Sequence, residues 1–245
     1  MNIKYKLLVM SGKGGVGKTT VAVNLAYSLS KRGFKTGLLD IDVHGPNVPK
    51  MLNLESEKLR GKGDKRIVPV KYNKLLKVVS MAFLLEKKDA VVWRGPMKHK
   101  LINQFVNDVE WEDLDFLIVD FPPGTGDEAI SISQLLKNIT GSIIVSTPQQ
   151  VSMIDAERAI SFSREVDVPV VGIIENMTGD LFGKGTMESF AKENDVDYLG
   201  SLELSKDVVV SSDSGVPFVD DDSGVAKSFE GITDKIIDFC KKRDK

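Results

Sequence analysis

The chain has a single cysteine, Cys240, among 245 residues. That excludes an intrachain disulfide and points to a reducing cytoplasm. No apolar run approaches the roughly 20 residues a membrane-spanning helix needs. The N-terminal MNIKYKLLVMSG has a short apolar run but no small-residue cleavage site, so it reads as a first strand rather than a signal peptide. Neither charge dominates: the formal net charge is -2, which argues against a nucleic-acid-binding surface. The C-terminal FEGITDKIIDFCKKRDK mixes both signs and lacks the basic amphipathic character of a membrane-surface helix. Proline- or serine-rich linkers and internal repeats are missing too, so residues 1–245 are expected to form one domain. The two histidines, His44 and His99, stand at no metal-ligand spacing and read as surface or loop residues.

What is present is an alternation of apolar runs and helical spacing. Residues 6–10, 36–40, 115–120, 142–146 and 169–174 read as strands, with shorter candidates at 77–80 and 91–93. Helices are expected at 19–31 and 96–106, and near 127–137, 151–165, 186–194 and 225–241. Apolar runs without alternation are what strands covered on both faces look like. Strands that alternate with helices imply right-handed crossovers, hence a mostly parallel sheet with helices on both faces. Ligands of such sheets bind beyond the carboxyl ends of the strands. The polar motifs here fall there: after Met10, Leu39, Val119 and Ile174. The charge-rich stretch 55–66, ESEKLRGKGDKR, reads as a solvated, mobile loop.

After the first strand comes SGKGGVGKTT, residues 11–20, which matches G-x-x-x-x-G-K-[ST] from Gly12 to Thr19. The segment Gly12, Lys13, Gly14, Gly15, Val16, Gly17, Lys18, Thr19 and Thr20 is the candidate cradle for the phosphates of ATP. Its backbone amides can converge on phosphate oxygens, helped by the positive end of the following helix. Glycines keep side chains out of that approach. Lys18 supplies a point charge for the β- and γ-phosphates, and Thr19 a hydroxyl for Mg²⁺.

Asp120 ends the apolar strand FLIVD and is the expected acid near Mg²⁺, since a buried carboxylate needs a partner. The next residues, FPPGTGD, combine stiffening prolines with Gly124 and Gly126. That suits a loop which senses the γ-phosphate by changing conformation. Asp40 and Asp42 end the second strand and share a side if the strand runs that far. One of them would orient the attacking water or hold a metal-bound water. Two solvated turn aspartates is the alternative, more so for Asp40.

At these residues the chain resembles the deviant phosphate-loop ATPases of the ParA/MinD superfamily, for which the extra Lys13 is the signature. More closely, it is similar to the Mrp family of ATP-dependent iron–sulfur cluster carriers. The supporting segments are LLDIDVHGPNVPKML (38–52), VVWRGPM (91–97), FLIVDFPPGTGDEAISI (116–132), STPQQVSMIDAERAI (146–160), GIIENMTG (172–179) and SDSGVPF (212–218). The resemblance implies a single-domain P-loop NTPase fold and a slow Mg²⁺-dependent ATPase working as a cytoplasmic homodimer. Lys13 would reach the partner subunit's nucleotide as an arginine-finger equivalent. Asp42 would orient water, Asp120 would be linked to the metal, and Asn176 would contact the adenine, with residues 202–205 near the base.

The resemblance further implies a role in iron–sulfur cluster assembly or transfer, with apoprotein clients. Members that carry a cluster have C-x-x-C after the segment matching Asn176–Thr178. Here ENMTGDLFGKGTMESF contains no cysteine. A bridging cluster needs about four thiolates, whereas a dimer of this chain offers only its two copies of Cys240. The ATPase apparatus is therefore expected to transfer to this chain and the cluster ligands are not. Cys240 itself is expected to be a partly buried structural thiol. The alternative function is a ParA/MinD-like dimerisation switch that recruits a partner other than a cluster.

Overall fold

The computed structural model describes residues 2–42, 45–62, 66–84 and 95–244. The strand candidate at 91–93 and His44 lie outside them. Nine segments follow the expected alternation: β1 (Ile3–Met10), α1 (Lys18–Lys31), β2 (Thr36–Asp40), α3 (Gly95–Asn107), β7 (Leu114–Asp120), α4 (Asp127–Leu135), β8 (Gly141–Ser146), α5 (Gln150–Glu165) and β9 (Val170–Thr178). The first strand begins three residues earlier than its apolar run. Periodicity overlooked the short α2 (Val48–Met51), the final strand β10 (Tyr198–Glu203) and α7 (Lys206–Ser214). It found β6 (Leu76–Ser80), α6 (Thr186–Glu193) and α8 (Gly224–Lys242) to within a residue or two.

The eight-stranded sheet of the described residues has the order β10-β9-β8-β1-β7-β2-β6-β5, where β5 is Val70–Lys71. All neighbours are parallel except β5, which runs antiparallel to β6 at the edge. The expected solvated loop at 55–66 is corrected in part. Residues Arg60–Lys62 form β3, which pairs antiparallel with β4 (Arg66–Val68) in a separate two-stranded ribbon. The charged side chains masked this pairing, because a two-stranded ribbon needs little burial on either face.

Strand alternation divides the core into two layers. Leu7, Val9, Phe116, Ile118, Ile143 and Val145 face one layer with α1 and α8. Leu8, Met10, Leu117, Val119 and Ile144 face the other with α3 to α6. Consecutive residues of one strand are thus both buried, which is why those strands read as unbroken apolar runs. The fold is the expected mostly parallel α/β sheet with helices on both faces.

Helix α8 closes the first layer. Ser223 caps its start by accepting the Ala226 amide at 3.3 Å. Val225, Phe229, Ile232, Ile236 and Cys240 form its buried stripe at helical spacing. Cys240 is wholly buried rather than partly so, and burial pushes its thiol up to about 12. The thiolate is the nucleophile, so an aromatic disulfide reagent at pH 8 should leave Cys240 unmodified in the native protein. It should titrate one thiol per chain in denaturant. Rapid modification of the native chain would contradict this placement.

Candidate functional site

The carboxyl ends of β1, β2, β7 and β9 meet at one edge of the sheet. There β1 runs into the loop 11–17, and α1 starts at Lys18 with Gly17 as its N-cap at φ 85°. No side chain caps this helix start and its first turn carries no acid. The leading amides are therefore available to an anion. Gly14 and Gly15 are exposed and face open space. Gly12 and Gly17 are glycines for steric reasons: an added Cβ would lie 2.0 Å from the Asp155 carbonyl oxygen at Gly12 and 2.1 Å from Asn176 Nδ2 at Gly17. Helix α5, which carries Asp155, thus backs the loop directly. Val16 is buried, and the Thr20 carbonyl accepts from Asn24 Nδ2 at 2.9 Å.

Lys18 lies buried between an acid that ends β7 and one just beyond β2. Its Nζ is 2.5 Å from Asp120 Oδ1 and 3.7 Å from Asp42 Oδ2. Thr19 Oγ1 donates to Asp120 Oδ2 at 2.7 Å. The hydroxyl and the carboxylate named for Mg²⁺ are thereby brought together. Oxygen donors of this kind suit a hard divalent cation. The segment 121–127 is tied to the loop as well, because the Gly124 amide donates to the Ser11 carbonyl at 3.0 Å.

Of the two readings open for Asp40, the solvated turn residue is ruled out. It is fully buried opposite Asp120 in the β2–β7 register. Ser80 Oγ donates to its Oδ2 at 2.7 Å and the Asp42 amide to its Oδ1 at 3.1 Å. Burial, then the charge of Asp120, pushes its carboxyl up to about 8, against Ser80 and Lys18. Its environment thus favours the protonated carboxyl more than water does. Burial also raises Asp120, against the pull of Lys18 and Thr19. Nor does β2 continue to Asp42: the strand ends at Asp40. Asp42 reaches Lys18 because the chain turns there and its amide bonds back to Asp40. Ser80 was missed by sequence reasoning. Its signal is faint, a small polar residue ending the apolar run LKVVS.

Lys13 is half-buried, and its carbonyl accepts from Ser11 Oγ at 2.8 Å. It makes no ion pair with any described residue. Asn176, at the end of β9, is buried and donates from Nδ2 to the Val16 carbonyl at 2.8 Å. Residues 202–205 follow alongside, with Leu202 paired to Asn176 in the β9–β10 register. His99 is exposed on α3. Among the described residues no three His, Cys, Asp or Glu side chains gather as a metal-binding group. No helix of these residues is long and apolar enough to cross a membrane.

An uncapped helix start behind a glycine loop, a buried lysine, and a threonine hydroxyl set against a strand-end aspartate define a P-loop nucleotide-binding α/β protein. Comparison with known proteins narrows the class. The family model described as NUBPL iron-transfer P-loop NTPase matches residues 2–237. An iron–sulfur cluster carrier protein of Saccharolobus solfataricus is 46% identical over 96% of this chain and 84% of its own. A cytosolic Fe–S cluster assembly factor NUBP2 homolog of Nematostella vectensis is 43% identical over 96% and 93%. The chain belongs to the family of NUBPL-type iron-transfer P-loop NTPases. Among solved structures, the nucleotide-binding protein of Archaeoglobus fulgidus in complex with ADP superposes with a TM-score of 0.77 at 35% identity, covering 88% of each chain. The septum site-determining protein MinD of Pyrococcus horikoshii, complexed with Mg-ADP, gives 0.76 at 20% identity over 95% of each and shares the fold.

Proposed function

We propose that this chain is a slow Mg²⁺-dependent ATPase of the cytoplasm, coupled to rearrangement of a homodimer that serves iron–sulfur cluster assembly. The observation that carries the reading is the placement of Lys18 and Thr19 on Asp120, directly under an uncapped helix start. In the free protein the ammonium of Lys18 neutralises the acids. On binding ATP, Lys18 exchanges Asp120 for the β- and γ-phosphate oxygens, and the loop amides take the remaining phosphate charge. Thr19, Asp42 and Asp120 would hold Mg²⁺, which supplies charge neutralisation at the phosphates when bound. Asp42 orients the attacking water. Lys13, whose side chain makes no ion pair with any described residue, serves the nucleotide of the partner subunit. The loop 121–127 reports the γ-phosphate through its Gly124–Ser11 bond. Asn176 and residues 202–205 lie on the side where the resemblance puts the base.

The relatives' names speak of carrying a cluster. The residues of this chain do not fit one held by thiolates, because its one cysteine is wholly buried in the α8 stripe. The chain therefore acts on apoprotein clients as a nucleotide-switched scaffold or helper rather than through a cluster of its own. The same observation supports a second reading, a ParA/MinD-like switch that recruits a partner unconnected with clusters.

Anaerobic reconstitution with iron and sulfide tests the cluster side, followed by iron counting and absorption spectroscopy. The expected result is no stoichiometric cluster, alongside phosphate release that needs Mg²⁺ and stops with chelator. A stoichiometric cluster lost in Cys240→Ser would overturn the helper reading. Client apoprotein maturation that the chain accelerates only with ATP would favour it over the second reading.

A further inference from the structure

Resemblance assigns Asn176 to the adenine, whereas its hydrogen bond goes to the phosphate loop. Asn176 Nδ2 donates to the Val16 carbonyl at 2.8 Å, and both residues are buried. That carbonyl belongs to the peptide unit whose N–H is on Gly17. In a trans peptide the C=O and N–H point to opposite sides. A donor that holds the Val16 oxygen therefore aims the Gly17 amide away from Asn176. The contact is close enough that a Cβ on Gly17 would sit 2.1 Å from Nδ2.

The donor is itself held firmly. Asn176 lies in β9, paired to Leu202 of β10. The preceding Glu175 pairs with Ser146 of β8 and is fully buried. It accepts the Gly185 amide at 2.9 Å, the Met187 amide at 3.0 Å and the Tyr198 hydroxyl at 3.0 Å. The following Met177 has φ 60°, a left-handed conformation rare for a side-chain-bearing residue. Its Cε reaches to 3.5 Å from the same point above Gly17. The strand end is thus clamped on one side by Glu175 and presents the amide of Asn176 to the loop on the other.

We propose that Asn176 is a positioning residue, acting on the phosphates of the bound nucleotide through the Val16–Gly17 peptide. The inference rests on the reading that this loop binds ATP. Removing the donor frees the peptide to rotate, so affinity falls for anything that binds through its phosphates, with or without a base.

The test uses the full chain with Asn176→Ala and the near-isosteric Asn176→Asp. Each is titrated with Mg²⁺ and ATP, GTP or inorganic tripolyphosphate. Loss of one hydrogen bond to a buried carbonyl should weaken ATP and tripolyphosphate by the same factor, about tenfold. Weakened ATP with unchanged tripolyphosphate, and a collapsed ATP-to-GTP ratio, would show a base reader and overturn the proposal. Unchanged affinity for all three would also overturn it. Amide hydrogen exchange at Gly17 and Lys18 in the nucleotide-free protein is a second measurement. Faster exchange in the variants supports the role, and identical exchange refutes it. A parent chain that binds neither nucleotide would end the ATPase reading. The exchange measurement uses no nucleotide, so it would still decide the role of Asn176 in the loop.

Discussion

Lys18→Ala should abolish ATP binding and also destabilise the nucleotide-free protein. The second effect comes from the tertiary structure. In the free chain the Lys18 ammonium sits 2.5 Å from Asp120 and 3.7 Å from Asp42, with the fully buried Asp40 opposite Asp120. Removing one member of a buried pair leaves an uncompensated charge and costs about 3–5 kcal/mol. The acids can respond by taking up protons, which limits the loss. Burial already raises the carboxyls of Asp40 and Asp120. A folded-state pKa above the unfolded value means that stability declines as pH rises from the ordinary carboxylate range towards the folded pKa. The variant should therefore be closest to the parent near pH 5 and furthest from it near pH 8. At pH 8 the melting temperature should fall by about 6–20 °C, taking 2–4 °C per kcal/mol for a chain of this size.

Adding Asp120→Asn to Lys18→Ala should restore much of that stability, because the unpaired charge is gone, yet should not restore ATP binding. Thermal melts at two pH values and calorimetric ATP titrations would read both effects. Unchanged ATP affinity in Lys18→Ala would remove the foundation of the proposed function. A pH-independent stability loss would mean that Lys18 matters for packing alone.

Lys13→Ala should behave in the opposite way. Lys13 is half-buried and makes no ion pair with any described residue, so its removal should leave folding and ATP affinity near parent values. Turnover should fall by about a thousandfold or more, the range for a charge supplied in trans to a transferring phosphoryl group. Phosphate release at saturating ATP measures it. Because the charge would come from a second copy, parent turnover per subunit should rise with protein concentration until the dimer is saturated. Parent-like turnover in Lys13→Ala would dispose of the two-lysine mechanism. A concentration-independent parent rate would place the whole site within one subunit.

The two lysines differ in how legible they are. Lys18 was readable from spacing alone, since a glycine loop between an apolar strand and a helix leaves one position for the phosphate-binding cation. Lys13 carried no such local signal, and its role rests on resemblance. Asp120 was readable because an acid ending an unbroken apolar run must be buried and must have a partner. What could not be read was the partner in the free protein, Lys18 itself, because the pairing spans 102 residues. Asp40 was left between two readings for a related reason. An aspartate at a strand end looks like a turn residue until Ser80 arrives from a strand 40 positions away. Helix α7 escaped notice because none of its residues is buried, so it leaves no apolar stripe.

The sequence by itself determined the class of sheet, the phosphate loop and the shortage of thiols. Each of these depends on residues close together in the chain or on a simple count. Only the tertiary structure decided that Lys18 rests on Asp120, that Asp40 is buried against Ser80 and that Asn176 grips the Val16 peptide. Those facts depend on which strands are neighbours and in what register. Register is set by many weak apolar contacts spread over the whole sheet, and no single stretch of sequence carries it.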